Sequence, residues 1–172
     1  KEALSQPRFE EWAEIGRFVA RGGRLLVFEQ GKGFKGIMPL LGLMPMETRA
    51  RNAFIRCRSH PVLRGFEDED FSYWRGETDL VSPPYPDCSR RWGTRGIVSS
   101  FPFAKRATPG ARFLLDCWVG LSYSPLVELR KGRGTAIFCQ LDITSRYGRE
   151  PVATLLLHRL LKYLDRYEPE EP

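Results

Sequence analysis

Histidine is scarce in this chain of 172 residues, with only His60 and His158 present. Nucleophilic catalysis that relies on an imidazole base therefore has two places to sit. Neither G-x-S-x-G nor G-x-C-x-G occurs, so no nucleophile elbow is written in the sequence. The four cysteines, Cys57, Cys88, Cys117 and Cys139, form no C-x-x-C pair, which excludes a zinc ribbon or a thioredoxin-like site as a local motif. No apolar run approaches the roughly 20 residues of a membrane span. The opening Lys1-Glu2-Ala3-Leu4-Ser5-Gln6 lacks the basic-then-apolar pattern of a signal peptide. No stretch repeats at a fixed period, which removes solenoids and propellers.

What is present fits one folded core. Hydrophobic residues make up 42% and charged residues 28%, a balance unlike that of disordered chains. Lys and Arg number 27 against 21 Asp and Glu, and the isoelectric point is near 9.4. That excess raises nucleic acid as a partner. The basic residues are scattered, however, and Arg49, Arg51, Arg56 and Arg58 fall in an alternating stretch that suits the solvent face of a strand. No nucleic-acid motif is visible, so that reading is the weak one. Cys117 and Cys139 lie within apolar runs and read as reduced, buried thiols.

Periodicity predicts a helix from about Arg8 to Ala20, with Phe9, Trp12, Ile15, Phe18 and Val19 on one stripe. Gly22-Gly23 stops it, and Arg24-Leu25-Leu26-Val27-Phe28-Glu29 follows as an apolar run of the kind buried on both faces of a parallel sheet. Strands are expected at Asn52–Cys57, Ile97–Phe103 and Arg112–Trp118. Leu126–Arg130 and Thr135–Leu141, joined through Lys131-Gly132-Arg133-Gly134, read as a hairpin. The last helix spans Glu150–Tyr163, with Pro151 in its first turn and Val152, Leu155, Leu156, Leu160 and Leu164 facing inward. Together these elements give an α/β layered domain with a mixed sheet, spanning residues 1–166, and an acidic tail over 167–172. Opening on a helix rather than a strand suggests a segment of a longer polypeptide.

Several groups could carry chemistry. Gly31-Lys32-Gly33-Phe34-Lys35-Gly36 matches G-x-G-x-x-G after a strand, but Pro39 and the weak helix around Ile37–Leu41 do not suit a dinucleotide site, so a flexible turn is the simpler reading. Glu67, Asp68, Glu69 and Asp70 could offer a carboxylate pair, yet four in a row more often form a solvated helix start. Phe71, Tyr73 and Trp74 could stack on a sugar ring or anchor their loop to the core. His60, before Pro61, is read as capping backbone groups, and His158 as facing solvent or a neighbouring domain. Asp142 is the best single oxygen ligand at a strand end, but it has no companions, so neither a metal nor a cofactor is expected.

The run Phe18-Val19-Ala20-Arg21-Gly22-Gly23-Arg24-Leu25-Leu26-Val27-Phe28-Glu29-Gln30 resembles the helix-Gly-Gly-strand segment of class I glutamine amidotransferase-like domains. His60-Pro61-Val62-Leu63-Arg64-Gly65-Phe66, with Asp70-Phe71 and Trp74-Arg75-Gly76, is similar to the version of that domain in large bacterial beta-galactosidase-like glycoside hydrolase proteins. Tyr123–Glu128, Gly132-Arg133-Gly134 and Cys139-Gln140-Leu141-Asp142 extend the resemblance. It implies a flavodoxin-like three-layer sandwich with a mainly parallel sheet and a C-terminal hairpin plus helix. Active amidotransferases carry an elbow cysteine and a late His-x-Glu pair. Here Gln140-Leu141-Asp142 stands at the late position and no cysteine is on an elbow, which argues against glutaminase activity.

The expectation is a non-catalytic accessory module of a larger carbohydrate-active protein, itself a candidate glycoside hydrolase. The alternative is an autonomous hydrolase, of glycosidase or amidase type. No catalytic residue is assigned, and the candidate ligand contacts are Gln30, Lys32, His60, Trp74, Arg75, Gln140 and Asp142. Expected partners are other domains of the same polypeptide, carbohydrate, or a second copy in a homo-oligomer. The compartment stays open, with export of the parent one option.

Overall fold

The computed structural model describes residues 9–30, 42–75 and 95–168. Helix α1, Phe9–Ala20, stops where Gly22 takes a φ of 110°. That left-handed residue lets Gly22 N donate to Val19 O at 2.9 Å and Gly23 N to Phe18 O at 3.0 Å, closing the last turn. Val19 carries the inward face, whereas Phe18 is 50% exposed. The side chains of Phe9 and Trp12 lie outside the described set, as do Lys32, the Gly31–Gly36 pattern, the Ile37–Leu41 segment and Cys88.

Strand β1 is Arg24–Val27, and short strands β2 (Met44–Pro45), β3 (Arg49–Ala50) and β4 (Ala53–Ile55) follow. After a 3-10 turn at Asp68–Phe71 come β5 (Ser99–Ser100), β6 (Phe103–Ala104), β7 (Ala111–Phe113), β8 (Leu115–Cys117) and β9 (Tyr123–Ser124). The chain then forms β10 (Leu126–Lys131), β11 (Gly134–Cys139) and helix α2 (Pro151–Asp165).

One sheet has the order β1-β11-β10-β7. Every residue of β11 is buried. It pairs in parallel with β1, Leu26 opposite Ile137, and antiparallel with β10 across a two-residue turn in which Gly132 has a φ of 58°. Alternation sends its side chains to opposite faces. Ala136 and Phe138 join Val19 of α1, Leu25, Val27, Val127 and Leu129 on one side. Ile137 and Cys139 join Leu126 and the α2 residues Ala153, Leu156, Leu160 and Leu164 on the other. Leu155, read as inward from the sequence, is 44% exposed.

The second sheet, β2-β6-β9-β8-β4, is antiparallel throughout, and β3 and β5 form an antiparallel pair apart. The chain passes from one sheet to the other at Leu114. β7 pairs with β10 and β8 with β4, while Leu114 N donates to Leu126 O at 2.9 Å and Leu114 O accepts from Arg56 N and Cys57 N. Next to β8, Trp118 and Leu121 have left-handed φ values of 70° and 54° and are both exposed.

These findings correct the expected flavodoxin-like sandwich with a mainly parallel sheet. Among the described residues β1 with β11 is the one parallel pair, and two α-helices are present. Parallel neighbours need a crossover of a dozen or more residues, usually helical. Every other pairing is antiparallel, and β8 with β9 and β10 with β11 are joined by short turns that only antiparallel neighbours allow. The run Ile97–Phe103 is not one strand, since Phe101 takes a left-handed φ of 55° ahead of Pro102 and splits it into β5 and β6. Arg112–Trp118 likewise divides between two sheets, and β1 lies at a sheet edge, only partly buried. No helix among the described residues is long and apolar enough to cross a membrane.

Gly134 fixes how close α1 and the following turn approach β11. A Cβ there would lie 2.1 Å from Val19 O and 2.3 Å from Gly23 O, both backbone atoms. Gly134→Ala is expected to cost about 1–3 kcal/mol of stability through overpacking. Thermal unfolding read by circular dichroism checks this, and an unchanged midpoint would show that α1 yields freely.

Candidate functional site

Because β1 and β11 run in parallel, their C-terminal ends open at the same edge, where open α/β sheets commonly hold ligands. Glu29 and Gln30 follow β1, and Gln140, Asp142 and Thr144 follow β11. Gln30 N donates to Gln140 Oε1 at 2.8 Å, which fixes the orientation of that amide because a backbone N–H needs an acceptor. Glu29 Oε1 accepts from Thr144 N at 2.8 Å and from the Thr144 hydroxyl. Glu29 is 6% exposed and Gln140 1%, while Gln30 and Thr144 are exposed above them. Burial pushes the Glu29 carboxyl up to about 7 from its ordinary 4.5; the Thr144 bonds oppose that rise and the Asp142 charge adds to it.

Asp142 is committed to a clamp. Its Oδ2 accepts from Arg146 Nη1 at 2.7 Å and its Oδ1 from Ser145 Oγ at 2.5 Å. Arg146, also buried, donates through Nη1 to Ile97 O at 2.5 Å and through Nε to Arg75 O at 2.9 Å. Its guanidinium lies 6.0 Å from the Trp74 ring centroid. Trp74 is 2% exposed, with its indole N–H donating to Asp70 O at 2.7 Å. Arg75 N donates to Glu150 Oε2 at 3.1 Å. Of the sequence candidates, the structure thus brings Gln30, Gln140 and Asp142 to one edge. Trp74 and the Arg75 backbone join them through Arg146. Tyr73, at 64%, is the exposed aromatic of that loop.

His60 sits elsewhere, buried against α2. Its Nδ1 accepts from Val62 N at 3.3 Å, so the proton of the neutral ring is on Nε2, which faces Glu128 Oε2 at 3.6 Å. Tyr163 donates to Glu128 Oε1 at 2.5 Å, Thr135 Oγ1 lies 3.4 Å from the same oxygen, and Arg130 Nε is 3.5 Å from Oε2. Burial opposes the charge on Glu128. The facing His60 ring, the bond from Tyr163 and the Arg130 charge outweigh it and hold the carboxyl at about 2. Tyr163 is raised by burial and by that same carboxylate.

The other groups weighed from the sequence also have structural work. Glu67 and Asp68 bond Arg58 at 2.8 Å and 3.0 Å, and Asp68 Oδ1 accepts from Ile55 N at 2.7 Å. His158 is exposed, with its Nε2 3.2 Å from Tyr147 Oη. Burial pushes the Cys117 thiol up to about 12 and raises Cys139 further. Cys57, Cys117 and Cys139 are free thiols, and among the described residues neither imidazole bonds one. Sequence reasoning missed Glu29, Glu128, Thr144, Arg146 and Tyr163. Glu29 had a signal of its own, a carboxylate closing the apolar run Leu25–Phe28.

No family model matches the chain, and no curated protein matches it. Solved structures do. "Cytoplasmic Protein STM3548" from Salmonella typhimurium superposes with a TM-score of 0.53 at 14% identity, covering 92% of this chain and 61% of that one. The likeness is one of fold. A cold-adapted beta-galactosidase from Rahnella sp. R3 gives a TM-score of 0.49 at 14% identity, over 91% of this chain and 21% of that one. The exo-beta-1,4-mannosidase Op5Man5 from Opitutaceae bacterium strain TAV5 gives 0.45 at 15% identity, over 94% and 24%. This chain thus spans about three fifths of the first structure and less than a quarter of each glycoside hydrolase.

The edge makes two expectations testable. Folded Glu29 keeps its proton between pH 4.5 and about 7 while the unfolded chain has lost it, so stability falls as pH rises through that window and levels off above. The fall amounts to about 3 kcal/mol at roughly 1.4 kcal/mol per pH unit. Glu29→Gln should flatten it, as urea unfolding at pH 5, 6, 7 and 8 would show; a parallel slope in the variant would place the titration elsewhere. Arg146→Met strands a buried Asp142 carboxylate and should destabilise by about 3–5 kcal/mol. A loss below about 1 kcal/mol in the same assay would mean that solvent reaches Asp142.

Proposed function

We propose that this chain is a non-catalytic accessory module of a larger carbohydrate-active protein, contributing domain packing, contact with a second copy, or contact with glycan. The observation that carries the non-catalytic part is how the reactive groups are spent. The buried cysteines are held as thiols, His60 is locked between Val62 N and Glu128, and Asp142 is neutralised by Arg146. A thiol–imidazole centre would need a thiolate within reach of a base. The carbohydrate setting rests on the resemblance of the His60–Phe66 and Trp74–Gly76 segments to beta-galactosidase-like proteins.

One observation favours the hydrolase alternative. Glu29 is a buried carboxyl with a pKa near neutrality, the property a general acid needs. Glycoside cleavage asks for a second free carboxylate across the bond, and the nearby Asp142 is already committed to Arg146 and Ser145. Glu29 alone does not complete the pair.

The folded chain assayed on glutamine and on aryl glycosides should release product no faster than buffer. Saturable turnover that disappears in Glu29→Gln, with circular dichroism unchanged, would establish the hydrolase instead.

A further inference from the structure

The edge of β1 and β11 holds two buried polar side chains, each fixed at one end and unspent at the other. Glu29 uses Oε1 on Thr144, and Gln140 uses Oε1 on Gln30 N. Among the described residues, Glu29 Oε2 and Gln140 Nε2 have no hydrogen-bond partner, nor does Ser100 Oγ. Ser100 runs alongside through its backbone, with Ser100 N donating to Gln140 O at 3.2 Å. All three residues are more than nine-tenths buried. Buried polar atoms are rarely left unmet, because each costs its full desolvation when unpaired. Elsewhere along this edge the protein meets such needs itself. Ser99 Oγ donates to Gln140 O at 2.7 Å, and the Asp142 carboxylate takes two donors.

We propose that the Glu29 carboxyl and the Gln140 amide, with Ser100 beside them, bind the hydroxyl groups of a neutral sugar. The chemistry selects that class. Gln140 Nε2 can only donate, so the ligand atom must accept. The carboxyl oxygen accepts when ionised and donates when protonated, and a hydroxyl answers either form because it does both. An anion would be opposed by Glu29 once that carboxyl is ionised. A cation would face the donor amide of Gln140 and the Arg146 guanidinium bonded to Asp142. Ser100 Oγ provides a second donor and acceptor for an adjacent hydroxyl. Gln30 and Thr144, exposed and already bonded to the two inner side chains, form the rim a ligand would displace or cross.

This inference rests on the accessory-module reading and gives its glycan contact an address. It also differs from stacking on Trp74, whose ring is enclosed.

The test titrates the whole chain with methyl hexosides, followed by amide proton–nitrogen correlation spectra. Sodium acetate serves as the anionic control and methylamine hydrochloride as the cationic one. The expected result is saturable shifts of the Gln30 and Thr144 backbone amides and the Gln140 side-chain amide, half-complete on the order of 10 mM, the strength of a few hydrogen bonds. Neither control should reproduce them. Ser100→Ala should weaken binding at least threefold and Gln140→Met at least fivefold. Should Gln140→Met fail to fold, Ser100→Ala carries the comparison. Shifts absent up to about 100 mM hexoside, unchanged in the variants, or matched by acetate would overturn the assignment, as would a crystal soaked in hexoside that shows only water between Glu29 and Gln140. Such a failure leaves the non-catalytic reading untouched. Turnover of glutamine or aryl glycosides would defeat that reading whatever the titration shows.

Discussion

The parallel pairing of β1 with β11 is the constraint on which the candidate site depends. It joins segments more than a hundred residues apart and sets both C-terminal ends side by side. Antiparallel pairing would have placed Glu29 and Gln140 at opposite ends of the sheet. With the strands aligned, the residue after each meets the other through Gln30 N and Gln140 Oε1. Everything polar at the edge is built outward from that bond. The burial of β11 on both faces, between α1 and α2, keeps the edge in place.

Two buried polar groups flank this sheet and solve the same electrostatic problem differently. Around Glu128, His60, Tyr163, Thr135 and Arg130 supply enough donors to hold a carboxylate charged against the cost of burial. Around Glu29 the donors come from one residue, Thr144, and a second carboxylate is nearby, so the proton stays to higher pH. The first arrangement ties α2 to the sheet. The second has its unmatched atoms where the C-terminal ends of two parallel strands lie side by side, which is why the edge is read as a site.

Local features were legible in the sequence where a residue type has one conformational use. Gly22 ends α1, Gly132 turns β10 into β11, and the apolar run Thr135–Cys139 lies at the centre of its sheet. Direction and partnership of strands were not legible, because an apolar run of four residues reads alike in parallel and antiparallel surroundings. The glutamine amidotransferase resemblance filled that gap with a mainly parallel sheet, and the antiparallel pairing of the other described strands overturns it. Glu128 reads as a polar residue alternating out of a strand, and its burial follows from His60 and Tyr163, which the chain brings from far away. Gln140 and Asp142 were noticed as polar residues after a buried strand. Their partners Thr144 and Arg146 were not, since Ser and Thr in a loop and one Arg among many carry no distinguishing pattern.

Leu114 links the two larger sheets through a single residue, its N–H donating to one sheet and its carbonyl accepting from the chain beside the other. Neither sheet can peel away without breaking the ladder of its neighbour at this residue. Layers that share a hinge of this kind lose their order together, so the described body should melt as one cooperative unit rather than leaf by leaf.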